Sequence, residues 1–294
     1  MPVPIGPHSP AGAWISQVNV MWVRACGRVV LGWLVSGLWL ASSAWGWVLA
    51  INEGVSYQHQ PAEVAARYSE VAADLSRLLG QAVTVEVVSD YAALRKGLAE
   101  RRFGLALVHP AHVSVDALQQ HGYRLLAVVK GFQNYRAHIL VSRKSTVNSL
   151  QQLRGAQIGA PDEDSITSVL LRATLRDAGI RPQDVKLTYT RFQDAVPFFI
   201  DSGLTQAGAT ASAKVIKAWT DQGGRVLTTS RPVPIKHVIA SPALSAQQQI
   251  LVREYLLKLD TSPEGRQRLA SIRYSGFEPY DENALLALAA WLKK

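Results

Sequence analysis

Three hydroxyl side chains lie close together where a short apolar run changes into a helical pattern. The run ends at Pro161, and Ser165, Thr167 and Ser168 follow at the start of a stretch whose apolar residues have helical spacing. The first turn of a helix leaves backbone N–H groups without intrahelical partners and carries partial positive charge. Hydroxyl donors beside these N–H groups would form a pocket for a small oxyanion. The alternative is that Asp164 or Ser165 is simply the N-cap of the helix.

A second junction between a strand and a helix offers similar donors. It contains Ser89 and Tyr91, on either side of a capping Asp90. Tyr91, together with Tyr57 further upstream, could donate a phenolic O–H to an oxyanion and stack on its organic part. The alternative is that both tyrosines are partly exposed aromatic residues that close loops.

Histidines form the third group of candidates. His112 follows a strand and His237 lies between two predicted halves, so either could contact an anion in a cleft, although structural roles are the alternative. His109 and His112 are three residues apart and invite a zinc hypothesis. They span a Pro-Ala turn and have no carboxylate at ligand spacing beside them. We therefore expect no metal and no cofactor.

Sequence motifs for catalysis are absent from the chain. There is no Gly-x-Ser-x-Gly elbow, Walker loop or His-Glu-x-x-His pattern. Asp162, Glu163 and Asp164 could mimic an acid pair, but a charged loop is the ordinary explanation. The sequence thus favours a binding protein over an enzyme.

Strand and helix patterns alternate along the chain, which predicts an α/β fold with mostly parallel sheets covered by helices. In such sheets a ligand lies beyond the carboxyl ends of the strands, where helix N-termini converge. The predicted strands include Trp47–Asn52, Val83–Val88, Leu105–Val108 and Gln157–Ala160, and the predicted helices include 61–79, 90–101 and 165–178.

The first 46 residues differ from the rest and predict a signal peptide. They contain Arg24 and Arg28 but no Lys, Asp or Glu, and an apolar run and the small residues 41–44 follow these arginines. We expect cleavage near Ala44 or Gly46, with either Met1 or Met21 as the start. An uncleaved membrane anchor is the alternative.

Charge and cysteine content limit the function classes. The only cysteine, Cys26, falls in this leader, so the mature chain would have no disulfide, which suits a bacterial periplasm. A formal net charge of +9 favours anionic partners. Nucleic-acid binding is not expected, because the chain has no long Lys/Arg run and no aromatic ladder.

Several segments, taken in order, resemble the type 2 periplasmic binding proteins of the phosphonate, phosphite and phosphate importer family. They are Glu53-Gly-Val-Ser-Tyr57, Ser89-Asp90-Tyr91, Phe103 to His112, Ser149 to Gly159, the Ser165–Ser168 cluster and Arg231 to His237. The similarity covers roughly Trp47 to Leu259. His109 and His112 depart from the usual glycine and aromatic residue. The acidic residues 162–164 should disfavour a dianion unless they point outward or form salt bridges elsewhere.

The resemblance implies two lobes with a cleft between them. Lobe one would combine residues 47–131 and 234–294, and lobe two would be residues 132–233. A small oxyanion (phosphonate, phosphite or phosphate) would bind in the cleft to Tyr57, Ser89, Tyr91, His112, Ser165, Thr167, Ser168 and His237. We expect an exported monomer that delivers this ligand to an ABC transporter permease. The alternatives are sensory input to a receptor kinase and a biosynthetic enzyme on the same fold.

Overall fold

The computed structural model describes residues 46–54 and 60–293 of the 294-residue chain. Apart from Gly46, the predicted leader lies outside the described residues, and so does Tyr57. The described residues belong to a compact unit, Ser43–Lys294. In this part of the chain, no helix is both long enough and apolar enough to cross a membrane.

The described strands form two sheets. The first contains β1 (Trp47–Asn52), β2 (Val83–Val87), β3 (Leu105–Val108), β4 (Arg124–Val129), β10 (His237–Ala240) and β11 (Phe277–Glu278). The second contains β5 (His138–Val141), β6 (Gln157–Ala160), β7 (Lys186–Tyr189), β8 (Ala207–Thr210) and β9 (Arg225–Thr229). Their orders are β11-β4-β10-β3-β1-β2 and β7-β6-β8-β5-β9.

Both sheets are mixed and follow the same plan. β1 pairs parallel with β2 and β3, and β6 pairs parallel with β7 and β8. One strand is inserted antiparallel in each sheet, β10 between β3 and β4, and β5 between β8 and β9. In each sheet this inserted strand follows a passage of the chain from one sheet to the other. Most strands of each sheet nevertheless run in one direction, as the sequence predicted.

Helices cover the sheets. They are α1 (Pro61–Arg67), α2 (Ser69–Leu79), α3 (Tyr91–Ala99), α4 (Ala111–His121), α5 (Ile166–Asp177), α6 (Val196–Asp201), α7 (Ala213–Asp221), α8 (Ala246–Lys258), α9 (Pro263–Ile272), α10 (Glu282–Ala287) and α11 (Ala289–Lys293). The single helix predicted for 61–79 is divided at Tyr68. Tyr68 is buried there, and its hydroxyl donates to Glu53 over 2.9 Å.

Alternating residues of the first sheet build two cores. Leu49, Ile51 and Leu107 face α2, α8 and α9, whereas Ala50 and Val108 face α3 and α4. The second sheet packs on α5 through Ile158 and its neighbours, and on α6 and α7 through Leu140, Ile200 and Trp219. Each sheet with its helices is one lobe, lobe one being built on the first sheet and lobe two on the second. The two-lobed α/β prediction is confirmed.

The two segments that connect the lobes pair with each other. Tyr135 and Val233 form an antiparallel bridge whose two N–H···O distances are 3.1 and 3.0 Å. A further apolar cluster at this junction contains Ala111 from lobe one, Ile166 and Val169 from lobe two, and Ile235 from a connecting segment. The connections therefore have their own small core.

The last helix contacts both lobes. Leu292 of α11 belongs to the junction cluster, and Arg176 of α5 donates to the Trp291 carbonyl over 2.6 Å. On the other side, Lys293 pairs with Asp116 of α4. The C-terminal end of the chain thus ties α4 to α5.

Candidate functional site

The starts of α3 and α5 face each other across the two lobes. Arg95, on the second turn of α3, donates through Nη2 to Asp164 Oδ1 over 2.7 Å and through Nη1 to Asp164 Oδ2. Asp164 immediately precedes Ser165, and Arg95 lies one turn beyond Tyr91. The two junctions that the sequence singled out therefore border the same interlobe region.

His112 on the first turn of α4 joins this contact. Its Nε2 lies 3.5 Å from Asp164 Oδ1, and its side chain is 8% exposed. At 3.5 Å this contact is longer than an ordinary hydrogen bond, and the ring nitrogens of His112 have no other hydrogen-bond partner in the described part of the chain. His112 and Arg95 together hold the pKa of the Asp164 carboxyl well below its usual range. One of the acidic residues flagged in the sequence thus forms a salt bridge with the opposite lobe.

The hydroxyl cluster is buried and bonded within the protein. Ser165 is the N-cap of α5, and its Oγ accepts from Ser168 N over 3.2 Å. Ser168 Oγ donates to the Pro161 carbonyl over 3.0 Å, and the Thr167 and Tyr135 hydroxyls are 2.8 Å apart. Thr167 and Ser168 are fully buried. Ser165 therefore acts as the N-cap of α5 in this conformation. Contact of these hydroxyls with an oxyanion stays a prediction.

The other predicted site residues divide into exposed and buried ones. Ser89 is exposed directly before the N-cap Asp90, whereas Tyr91 is buried in the core of lobe one. His237 is completely buried, and its Nδ1 is hydrogen-bonded to Ser114 Oγ. Burial lowers the pKa of His237 to about 4, although a hydrogen bond with the Pro234 backbone opposes the shift. His237 is therefore neutral near pH 7.

A large cavity lies beside this region, at the connecting segments. It has a volume of about 900 Å³, and its walls include His109 from lobe one, Phe132 and Tyr135 from a connecting segment, and Gln193, Ser212 and Lys214 from lobe two. The predicted site residues that the structure describes do not line its walls. Tyr135 nevertheless links the two places, since it borders the cavity and bonds to Thr167.

Gln193 organises the lobe-two wall of the cavity. Its Oε1 accepts from the Ala211 N–H over 2.6 Å and from Thr210 Oγ1 over 3.1 Å. Its Nε2 donates to the Tyr135 hydroxyl over 3.3 Å. One amide therefore connects the end of β8, the start of α7 and a connecting segment. Gln193 could not be predicted from the sequence, because only the topology places it beside these three elements.

Two titratable side chains of lobe one, His109 and Lys236, are buried near the connecting segments. Burial, followed by the charges of Lys236, His237 and His112, lowers the pKa of His109 to about 3. Burial also lowers the pKa of Lys236 to about 8, and its ammonium lies 4.2 and 4.7 Å from the ring centres of Phe132 and Tyr274. Lys236 also has a left-handed backbone, with φ of 63°. Among the described residues, no cluster of three metal-ligating side chains occurs.

Comparison with protein families adds a match over most of the chain. The family described as "ABC transporter, phosphonate, periplasmic substrate-binding protein" matches residues 54–285. No curated protein is detectably similar to the chain.

Solved structures share the architecture. PhnD1 from Prochlorococcus marinus in complex with methylphosphonate is 17% identical, with 83% of this chain and 96% of that chain covered and a TM-score of 0.62. A Xanthomonas citri protein bound to ATP is 18% identical, with 84% and 97% covered and a TM-score of 0.70. The periplasmic aliphatic sulphonate-binding protein of Escherichia coli is 14% identical, with 84% and 85% covered and a TM-score of 0.56. At these identities the similarity shows the fold alone.

Proposed function

We propose that this chain, which belongs to the family of periplasmic substrate-binding proteins of phosphonate ABC transporters, captures a small oxyanion in its interlobe cleft. Phosphonate, phosphite and phosphate are the candidate ligands. The protein would act in the periplasm after removal of residues 1–46 and deliver the ligand, as a monomer, to an ABC importer permease. We assign it a transport role and no catalytic one.

The observation that carries the proposal is the Asp164 carboxylate between the lobes. This carboxylate is itself an anionic oxygen group, and it is bonded to Arg95 and lies close to His112. Arg95 on the second turn of α3 and His112 on the first turn of α4 contact Asp164, which directly precedes the N-cap of α5. A helix start carries partial positive charge, which supports an anion-binding role for this position. Methylphosphonate and an aliphatic sulphonate, named for two proteins of the same fold, belong to this chemical class.

We further propose how binding changes the conformation. Lobe one would comprise residues 47–131 and 234–294, and lobe two residues 132–233, with the paired connecting segments as a hinge. A ligand that contacts both lobes stabilises the closed form, because those contacts exist only when the lobes are closed. Ser89, Tyr57 and Tyr91 would act from lobe one with His112 and His237, and Ser165, Thr167 and Ser168 from lobe two.

Thermal unfolding with added anions tests the proposal. At a hundredfold excess over its dissociation constant, a bound ligand adds about 2.7 kcal/mol to the free energy of unfolding. We expect phosphate, phosphite or methylphosphonate to raise the melting temperature and chloride at equal ionic strength to leave it unchanged. Ser89→Ala should reduce this rise without lowering the melting temperature of the free protein, because Ser89 is exposed.

A matched control is Ser275→Ala, which removes an exposed hydroxyl between α9 and β11. It should respond to the anions like the wild-type protein. If none of the three oxyanions stabilises the wild-type protein, the proposed ligand class is wrong.

A further inference from the structure

An ion pair joins the two lobes directly before the start of α5. Asp164 of lobe two presents both carboxylate oxygens to Arg95 of lobe one. Such two-pronged pairing is the geometry in which a guanidinium binds carboxylates and phosphates. The side chains of Arg95 and Asp164 are 35% and 41% exposed, so solvent can reach the pair.

A second basic group faces the same carboxylate. His112 lies 3.5 Å from Asp164 Oδ1, and its buried ring has two nitrogens that lack a hydrogen-bond partner among the described residues. A buried imidazole without such partners is uncommon, because polar groups removed from water normally form hydrogen bonds. Arg95 and His112 come from different helices of lobe one and converge on one position.

We propose that Arg95 and His112 form an oxyanion-binding position on lobe one, and that Asp164 occupies it when no ligand is bound. The ligand class is a carboxylate or a tetrahedral oxyanion that presents two oxygens, such as phosphate or a phosphonate. The inference rests on the proposed function, because this anion position lies in the cleft proposed for the ligand. It adds that the Asp164 carboxylate competes with the ligand for this position and holds the lobes together while it is bound there.

The position of Asp164 in its loop is specific. Asp162 turns inward to the loop itself, where its Oδ1 accepts from the Asp164 N–H over 2.9 Å. Glu163 is exposed, and its carbonyl accepts from Arg172 within lobe two. Among the described residues, Asp164 is the one of these three acidic side chains that forms an ion pair with lobe one. The lowered pKa of Asp164 agrees with this arrangement, because His112 and the Arg95 guanidinium favour its ionised form.

Two consequences follow for ligand binding. An external oxyanion must displace Asp164. The protein therefore binds the anion more weakly than it would if the position formed by Arg95 and His112 were empty. Once the ligand takes its place, the repelled carboxylate must turn away from Arg95. Removal of the Asp164 charge should therefore loosen the free protein and strengthen anion binding, a combination that a purely structural salt bridge does not produce.

Distance measurement between the lobes tests the first consequence. Spin labels can be placed on cysteines at Thr84 in β2 and Lys186 in β7, two exposed positions on different sheets, with Cys26 replaced by serine. We expect Asp164→Asn to shift the distance distribution of the ligand-free protein to longer values. Glu163→Gln is the matched control, because it removes an equal charge one residue away, and it should leave the distribution unchanged.

Calorimetric titration with inorganic phosphate and with methylphosphonate tests the second consequence. Asp164→Asn should bind about three- to tenfold more tightly than the wild-type protein, the range expected for loss of a two-pronged pair of partial exposure. Glu163→Gln should bind like the wild-type protein. Arg95→Gln introduced into Asp164→Asn should reverse the gain, since it removes the position itself.

The outcomes separate this inference from the proposed function. Unchanged interlobe distances in Asp164→Asn, or equal anion affinity in Asp164→Asn and the wild-type protein, would overturn the internal-competitor inference while leaving anion capture intact. If no variant binds either anion, the proposed function fails for these ligands, and the distance measurement alone decides whether Asp164 holds the lobes together.

Discussion

The hydroxyl groups of Tyr135 and Thr167 lie 2.8 Å apart and join a connecting segment to the first turn of α5. Thr167 is fully buried, and Tyr135 borders the cavity and also receives a hydrogen bond from Gln193. A change in the angle between the lobes would therefore act directly on the helix start that the sequence predicts to contact an anion.

We expect Tyr135→Phe to lower the free energy of unfolding by about 1–2 kcal/mol, because it removes the hydroxyl that bonds to the fully buried Thr167. Thr167→Val should cost less, because Tyr135 is only partly buried and keeps its hydrogen bond from Gln193. The double variant should cost less than the sum of the two single variants, since it removes both polar groups. Urea denaturation of the four proteins measures this coupling. Strictly additive effects would show that the two hydroxyls do not stabilise each other.

Ser165→Ala should lower the free energy of unfolding by about 1 kcal/mol, as expected when an N-cap oxygen is lost. Ser165 Oγ accepts from Ser168 N at the start of α5. Ser245→Ala is a matched control in lobe one, because Ser245 caps α8 in the same way. If anion-induced stabilisation survives in Ser165→Ala, Ser165 is a cap alone and does not bind the ligand.

The buried histidines should make the protein less stable in mild acid. The pKa of His237 falls from 6.5 to about 4 in the folded state, so between these values the unfolded chain binds more protons. Stability is therefore highest above about pH 6.5 and decreases as the pH falls toward 4, by roughly 3 kcal/mol for a fully buried group of this kind. His109, with a pKa of about 3, acts in the same direction.

Urea midpoints measured between pH 7 and pH 4 test this dependence. His237→Asn keeps a polar atom near Ser114 but cannot titrate, and it should flatten the profile. His121→Asn, at the partly exposed end of α4, is the control and should follow the wild-type profile. An unchanged slope in His237→Asn would contradict the assignment.

Gln193→Ala should weaken anion binding as well as stability. The amide holds the turn between β8 and α7 and the Tyr135 hydroxyl in place through three hydrogen bonds. Its loss should lower the free energy of unfolding by about 1–3 kcal/mol, because buried polar groups lose their partners. Thermal shift with methylphosphonate should show a smaller rise than in Gln222→Ala, which changes an exposed glutamine of the same cavity at the end of α7.

The periodicity of apolar residues was enough to predict the elements and the fold class. The predicted strands 47–52, 105–108 and 157–160 agree with β1, β3 and β6, and Asp90 and Ser165 cap the helices as local capping chemistry suggests. These features depend on neighbours in the chain. The break at Tyr68 was not predicted, because it occurs where the buried Tyr68 hydroxyl bonds to Glu53, which is 15 residues away in the sequence.

For the site, the sequence by itself identified two helix starts with hydroxyl residues and a family pattern that joins them. The amino acids at each junction determine such local chemistry, since caps and donors act over three or four residues. Only the tertiary structure decided which partners these groups have. Arg95 and Asp164 are 69 residues apart in the chain, and Gln193 and Tyr135 are 58 apart. Their pairing depends on the crossings between the sheets, because burial and long-range charge are properties of the folded chain rather than of any segment.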